Sequence, residues 1–211
     1  RQTALVARQA AEVDVLSGGR LRVGAAVGYV EAEYEALDED FSSRGAKMAE
    51  QIDLLRQFWT ERLVEFEGEY HSVPNAGLNP LPVQQPIPLY HGGGADPALS
   101  RTARLADGWM PLTPTVPRPG DQFRQGRDRL YELAREYGRD PADIGVHPYM
   151  TLPADGTDAD ALLDAVQAWA DEGVDHLSIA VMYTDVDEPA DHLDLVDAVG
   201  STLAEAGFLE G

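Results

Sequence analysis

Three consecutive glycines, Gly92, Gly93 and Gly94, stand between a short apolar run and a segment typical of a helix that begins near Asp96. Because glycine has no Cβ, such a loop can turn its backbone amides outward and let a phosphate group come close. The start of the helix adds the positive end of its dipole, and Pro97 suits the first helical turn. The pattern therefore predicts either a phosphate site or a tight turn that binds no ligand.

Four further residues near predicted strand and helix ends could take part in binding. Ser100 and Arg101 could add a hydroxyl and a guanidinium to a bound phosphate, although solvent-facing helix positions carry the same residue types. Gly28 and Tyr29 end an earlier predicted strand at its carboxyl end, where barrel enzymes build their active sites. The Tyr29 ring could stack on a planar cofactor, or it could pack in the core with a satisfied hydroxyl.

The histidines are candidate acid–base groups. His91 and His147 lie in predicted strands, where a histidine is either a catalyst at the barrel mouth or a satisfied interior group. The spacing of the histidines does not suit a metal site, so we predict no metal ion; they are His71, His91, His147, His176 and His192. Asp107, at a helix-to-strand turn, is expected to accept hydrogen bonds from nearby amides.

Charge excludes several classes of partner. The chain has 16 basic and 37 acidic residues, a net charge of −21, so neither nucleic acid nor an anionic membrane surface is an expected partner. From Asp140 to Gly211 there are 13 Asp and 4 Glu and no Lys or Arg, which predicts an acidic solvated surface and suggests a halophilic source. The lack of cysteine and of long apolar runs favours a reducing, cytoplasmic location.

Hydrophobic periodicity predicts strands that alternate with helices. We predict helices over 3–16, 43–63, 96–106, 120–137, 158–172 and 189–206, and strands at 21–28, 87–91, 109–112, 144–150 and 176–182. The proline-rich segment 66–88 is expected to be an irregular insertion. This alternation predicts a single α/β domain over 1–211 with a parallel sheet, either an open doubly wound sheet or a barrel.

Short pieces of sequence then stand in a fixed order and spacing. They are Leu16–Leu21, Val27–Tyr29, Glu33–Leu37, Arg44, Glu50, Phe58-Trp59, Phe66–Tyr70, Pro80–Leu89, Gly92-Gly93 and Ala106–Trp109. Together they resemble the luciferase-like monooxygenase family, whose members use flavin or a deazaflavin coenzyme on a (β/α) barrel. The remaining C-terminal half fits the last two βα units of the family by pattern only.

The resemblance implies an incomplete (β/α)8 barrel of the TIM type, with about five βα units that correspond to strands four to eight. It implies an oxidoreductase or monooxygenase that uses FMN or coenzyme F420 on a small organic substrate, with the phosphate of the cofactor against Gly92–Gly94. It also implies a place beside the site for Glu33, for which an ion pair with Arg44 is the alternative that we favour. We further expect a homodimer.

The chain also departs from the family pattern. Tyr29 stands where the family usually has Trp, and Asp38 where it usually has Gly. The acid–base histidine of deazaflavin-dependent relatives follows a strand that this chain lacks, so no catalytic residue is assigned. The opening at Arg1 inside a predicted helix suggests that the native chain starts upstream, and a barrel cut in this way would expose two sheet edges.

Two other functions remain open on these residues. The chain could be a non-catalytic barrel relative that acts as a partner-binding or ligand-binding subunit. It could also be an unrelated open α/β protein that binds a phosphorylated ligand at Gly92–Gly94.

Overall fold

A computed structural model describes residues 1–111, 117–152, 158–181 and 188–209 of the chain. The helices of these ranges are α1 (Thr3–Ser17), α2 (Glu31–Ala36), α3 (Arg44–Thr60), α4 (Asp96–Leu105), α5 (Asp121–Glu136), α6 (Ala159–Asp171) and α7 (Pro189–Glu205). The strands are β1 (Val23–Ala25), β2 (Val64–Glu67), β3 (Ser72–Ala76), β4 (Leu89–Gly92), β5 (Gly108–Met110), β6 (Gly145–Val146), β7 (Tyr149–Thr151) and β8 (Ser178–Ala180). The predicted alternation is confirmed, because β1, β4, β5, β7 and β8 each precede a helix.

The chain forms two compact units. The first comprises Arg1–Trp109 with Arg129–Ile144, and the second comprises Met110–Asp128 with Gly145–Gly211. In the first unit β1 and β4 pair in parallel and β5 is the other neighbour of β4. In the second unit β7 and β8 pair in parallel. The parallel α/β class predicted from the sequence is therefore confirmed.

The core of the first unit lies where α1 and α3 cover the sheet. The buried face of α1 is rich in alanine, and these small side chains let α3 pack closely, with Trp59 fully buried between them. The Trp59 indole N–H donates to the Ala7 carbonyl at 3.0 Å. α1 ends as predicted, since Gly18 is left-handed and its amide returns to the Val15 carbonyl.

The second unit has its own apolar core. Phe123 on α5 and Trp169 on α6 meet edge to face, with ring centroids 5.0 Å apart. The Trp169 indole donates to the Pro117 carbonyl at 3.0 Å. α6 begins where predicted, because the Asp158 carboxylate accepts the amides of Asp160 and Ala161 at the helix start.

The prediction of an irregular insertion over 66–88 is wrong in its first part. β2 and β3 form an antiparallel hairpin, with Phe66 opposite Val73, and only 77–88 has neither helix nor strand. Pro74 does not prevent the hairpin, because a two-stranded ribbon has free edges where a missing N–H is tolerated. The predicted end of this helix at residue 63 is also wrong, since α3 ends at Thr60 and Leu63 is 60% exposed.

The predicted strands are longer than the observed ones. The strand expected over 21–28 is reduced to β1, which is only partly buried. The strand expected over 144–150 is divided into β6 and β7 at His147-Pro148, because proline cannot donate to a strand ladder. Of the strand expected over 176–182 only Ser178–Ala180 is formed, and residue 182 lies outside the described residues.

The inner face of the last helix differs from the prediction. We expect Leu193, Val196, Val199 and Leu203 to be buried, but Leu193 is 68% exposed and Val196 is 49% exposed. Leu195 takes their place in the buried face, together with Val199 and Leu203. The apolar positions of α7 form two stripes, and periodicity alone does not tell which stripe faces the core.

Candidate active site

The glycine loop, Gly92–Gly94, lies at the carboxyl end of β4 and leads into α4. Gly93 adopts a φ of 131°, a conformation that L side chains rarely adopt. Gly94 is exposed, and no heavy atom lies within 4 Å of the place where its Cβ would stand. The loop is therefore open to a ligand on the side of Gly94.

The inner side of the glycine loop is closed by two contacts. The indole Nε1 of Trp109, which is 1% exposed, donates a hydrogen bond of 2.7 Å to the Gly93 carbonyl. A Cβ on Gly93 would lie 2.8 Å from the Cβ of Ala98, so the loop packs directly on α4. Sequence reasoning missed Trp109, although a buried indole N–H on a strand next to the loop must find an acceptor.

Ser100 and Arg101 have partners outside the glycine loop. The Ser100 hydroxyl lies 2.8 Å from the hydroxyl of Tyr137, and the Arg101 Nε donates to the Gly45 carbonyl at 3.1 Å. Burial, followed by the charges of Arg104 and Arg44, lowers the pKa of Arg101. The side chain of Arg101 therefore joins α4 to the start of α3, and its predicted contact with a phosphate stays a prediction.

Gly28 lines a cavity of about 230 Å³ beyond the end of β1. Its φ of 76° turns the chain into the segment that carries α2, and the Tyr34 hydroxyl donates to the Val27 carbonyl to fix that turn. Tyr29 is 85% exposed, so packing of its ring in the core, the structural alternative, is wrong. The exposed ring is available for contact with another molecule.

The expected ion pair between Glu33 and Arg44 is absent from the described residues, although both side chains line the same cavity. The Arg44 Nη1 instead donates to the Phe41 carbonyl at 2.7 Å, and its guanidinium stacks on the Phe41 ring. Stacking of this kind suits the planar, weakly hydrated guanidinium. Arg44 therefore holds the residues before α3 in place and does not pair with the Glu33 carboxylate.

His91 is completely buried on β4, as expected for an interior group. Its Nδ1 lies 3.1 Å from the Thr102 hydroxyl, and its Nε2 has no partner among the described residues. Burial, with the nearby charge of Arg101, lowers the pKa of His91 from 6.5 to about 4. His91 is therefore neutral at physiological pH and has no access to solvent. His147 lies 2.9 Å from the hydroxyl of Ser178.

Asp107 has the structural role predicted for it. Its carboxylate accepts the Leu89 amide at 2.8 Å and both of its oxygens lie 2.9 Å from Arg56 Nη2. These bonds tie the turn before β5 to β4 and α3. Asp107 thereby helps to fix the strand pair that presents the glycine loop.

A partly buried polar network that the sequence did not reveal ties the hairpin to the helices. The Glu50 carboxylate accepts from the amides of Glu69 and Tyr70, and His71 Nδ1 lies 2.6 Å from it. The other ring nitrogen of His71 lies 2.8 Å from the Thr3 hydroxyl. His71 lies 21 positions after Glu50 and 68 positions after Thr3, so local periodicity cannot reveal these two contacts, which depend on tertiary packing.

Two absences apply to the described ranges. No group of three or more His, Asp or Glu side chains there is arranged to hold a metal ion. In the same ranges, none of the helices has the length and apolar character needed to cross a membrane.

Comparisons with known sequences point to one protein family. The sequence profile of luciferase-like monooxygenases matches residues 1–209. An uncharacterised protein of Mycobacterium tuberculosis is 41% identical over 110 residues, which cover 52% of this chain and 38% of that protein. Pyrimidine monooxygenase RutA of Escherichia coli is 31% identical over 181 residues, which cover 80% of this chain and 47% of RutA. The chain thus spans about half or less of the length of these relatives.

Solved structures share the fold. An F420-dependent secondary alcohol dehydrogenase in complex with an F420–acetone adduct has a TM-score of 0.70 at 18% identity, over 96% of this chain and 75% of that one. EDTA monooxygenase EmoA from Chelativorans has a TM-score of 0.73 at 14% identity, over 99% and 72%. The fold is that of TIM-barrel luciferase-like proteins, and the barrel is incomplete in this chain.

Proposed function

The chain belongs to the luciferase-like monooxygenase family. We propose that the protein is an oxidoreductase that binds FMN or coenzyme F420. The proposed reaction transfers a hydride to, or oxygenates, a small organic substrate. The observation that carries this proposal is the glycine loop, which is open on the side of Gly94 and stands at the start of the ten-residue helix α4. A phosphate-bearing cofactor fits such a loop because free backbone amides and a helix dipole favour an anion.

The cofactor, when bound, supplies the redox chemistry, and the protein supplies binding and orientation. Gly92–Gly94 and the Asp96 amide would hold the phosphate group, since Pro97 has no N–H and the Ala98 amide donates to the Ala95 carbonyl at 2.8 Å. Asp96 brings a negative charge to this helix start, but it pairs with Arg129 at 3.3 Å, which reduces its repulsion of a phosphate. Tyr29, exposed beyond the end of β1, would offer its ring to a planar group at the same end of the strands.

Two findings from relatives support a redox cofactor and leave its type to experiment. One similar structure holds an F420–acetone adduct, and a sequence relative is named a pyrimidine monooxygenase. We therefore propose that FMN and F420 be compared directly. The full-length gene product is titrated with each cofactor, and binding is followed by cofactor fluorescence and visible absorbance. We expect saturable binding of one of the two.

Substitution Gly94→Ala tests the site without disturbing the fold. A Cβ at Gly94 meets no protein atom, but it enters the space where the phosphate is proposed to approach. We expect about tenfold weaker cofactor binding, equivalent to about 1.4 kcal/mol, with an unchanged thermal midpoint. Gly120→Ala is the matched control, because its Cβ also meets no atom within 4 Å and it lies outside the loop. If neither cofactor binds the unmodified protein, the proposal is wrong and the non-catalytic alternative is favoured.

A further inference from the structure

The carbonyl group of the peptide that joins Gly93 to Gly94 is held in a fixed orientation. Its carbonyl oxygen accepts the hydrogen bond from Trp109 Nε1 at 2.7 Å, inside the protein. Among the described residues the only cis peptides precede Pro80 and Pro86, so this peptide is trans. In a planar trans peptide the C=O and the N–H point in opposite directions. The Gly94 N–H is therefore directed away from Trp109.

The direction of that amide matches the open side of the glycine loop. Gly94 is exposed, and in the described part of the chain its N–H donates to no acceptor. Gly93 packs so closely on Ala98 that the loop has little room to turn over. We propose that Trp109 is a positioning residue that aims the Gly94 N–H at the phosphate of the bound cofactor, an inference that rests on the function proposed above.

Tryptophan suits this task for a physical reason. Its indole has a single donor and no acceptor, so a buried Trp109 can satisfy its N–H only by holding an acceptor such as the Gly93 carbonyl. Losing that bond would leave the donor buried and unpaired, which disfavours any loop conformation that turns the carbonyl away. The cost of leaving the buried indole N–H unpaired thus fixes the orientation of the Gly93–Gly94 peptide at the surface.

The experiment removes the donor and keeps the ring. Trp109→Phe is compared with Trp59→Phe, because Trp59 is equally buried and its Nε1 also donates to a backbone carbonyl, 3.0 Å away and outside the loop. A second form carries β-(3-benzothienyl)alanine at position 109, which replaces the N–H by sulfur at almost the same size. Full-length proteins are titrated with FMN and with F420, and the Gly94 amide is observed by NMR after labelling with 15N-glycine.

We expect Trp109→Phe and the benzothienyl form to bind cofactor about five- to tenfold more weakly than Trp59→Phe does. Cofactor binding should move the Gly94 amide resonance in the unmodified protein and in Trp59→Phe, and move it less in both Trp109 forms. Equal affinity and equal Gly94 shifts in the Trp109 and Trp59 forms would overturn the role of Trp109 while the proposed function stands. Absence of binding by the unmodified protein would overturn the proposed function, and with it the site that Trp109 serves.

Discussion

His91 donates a hydrogen bond from Nδ1 to the hydroxyl oxygen of Thr102, 3.1 Å away. The direction follows from the neighbouring bond, because the single hydroxyl hydrogen of Thr102 is given to the Ala98 carbonyl at 2.9 Å. The imidazole must therefore carry its proton on Nδ1, and Nε2 is a buried acceptor without a partner among the described residues. This tautomer makes His91 an interior group whose charged form is strongly disfavoured.

The buried imidazole predicts a loss of stability in mild acid. The pKa of His91 is about 4 in the folded protein and 6.5 in an unfolded chain. Between these values the unfolded state binds more protons, so the free energy of unfolding falls as the pH decreases from about 6.5 to about 4. The full effect is about 3 kcal/mol, measured by urea denaturation across this range.

Substitution His91→Leu isolates this contribution. Leucine keeps an apolar volume in the site and removes the titrating ring, so the decrease in the free energy of unfolding between pH 6.5 and about 5 should become much smaller. The unmodified protein, measured over the same pH range, is the comparison. If the free energy of unfolding of His91→Leu falls with pH as steeply as that of the unmodified protein, other groups cause the loss of stability.

A second prediction concerns the carboxylate that holds the hairpin tip. Burial acts to raise the pKa of Glu50, but the hydrogen bonds from His71, Tyr70 and Glu69 outweigh it and the pKa lies below its usual value. Its contribution to stability is present above the usual pKa of a glutamate and is lost as the pH falls through the lower folded value. Glu50→Gln should reduce the free energy of unfolding by about 2 kcal/mol at neutral pH, measured by urea denaturation.

Glu67→Gln is the matched control for this network. Glu67 lies in the same hairpin and accepts from the Ser72 hydroxyl at 2.8 Å, but it is exposed. Its loss should change the stability by less than about 0.5 kcal/mol. Equal effects of the two substitutions would mean that burial of Glu50 adds nothing to its hydrogen bonds.

A third prediction uses the close approach of two neighbouring strands. A Cβ on Gly108 in β5 would overlap the ring of Tyr90, which lies on β4 and is 8% exposed. Gly108→Ala should therefore destabilise the protein by about 1–3 kcal/mol through overpacking. Gly94→Ala, whose Cβ meets no atom, should leave the stability within about 0.5 kcal/mol. Thermal unfolding of both variants checks this, and matching midpoints would contradict it.

The sequence predicts helices better than strands in this chain. α1, α4 and α6 begin and end within a few residues of their predicted bounds, because their periodicity, glycine ends and caps are local signals. The strands have only two to five residues each, and their bounds depend on partners that local pattern does not identify. The β2–β3 hairpin is not predicted for the same reason, and α2, with six residues and none of them buried, is too short to show a helical pattern.

Some parts of the candidate site can likewise be predicted from the sequence, and others cannot. The glycine loop and the start of α4 are visible in the sequence, since Gly and Pro act on the backbone where they stand. The role of Trp109 and the partner of Arg101 depend on contacts between residues 16 and 56 positions apart. Such contacts follow from the packing of strands and helices, so the sequence placed the loop but not the groups that hold it.

A last prediction follows from the acidic C-terminal part of the chain. No basic residue stands between Asp140 and Gly211, so the exposed carboxylates of α7 have no cation of their own segment to pair with. Salt shortens the range of their repulsion from about 10 Å at 0.1 M to about 3 Å at 1 M. The thermal midpoint should therefore rise from low salt to roughly 1 M NaCl.

The double substitution Asp194→Asn with Asp197→Asn, both exposed on α7, should raise the midpoint at low salt and reduce the gain from added salt. A midpoint that stays constant or falls with salt would contradict both this prediction and the halophilic source suggested by the composition.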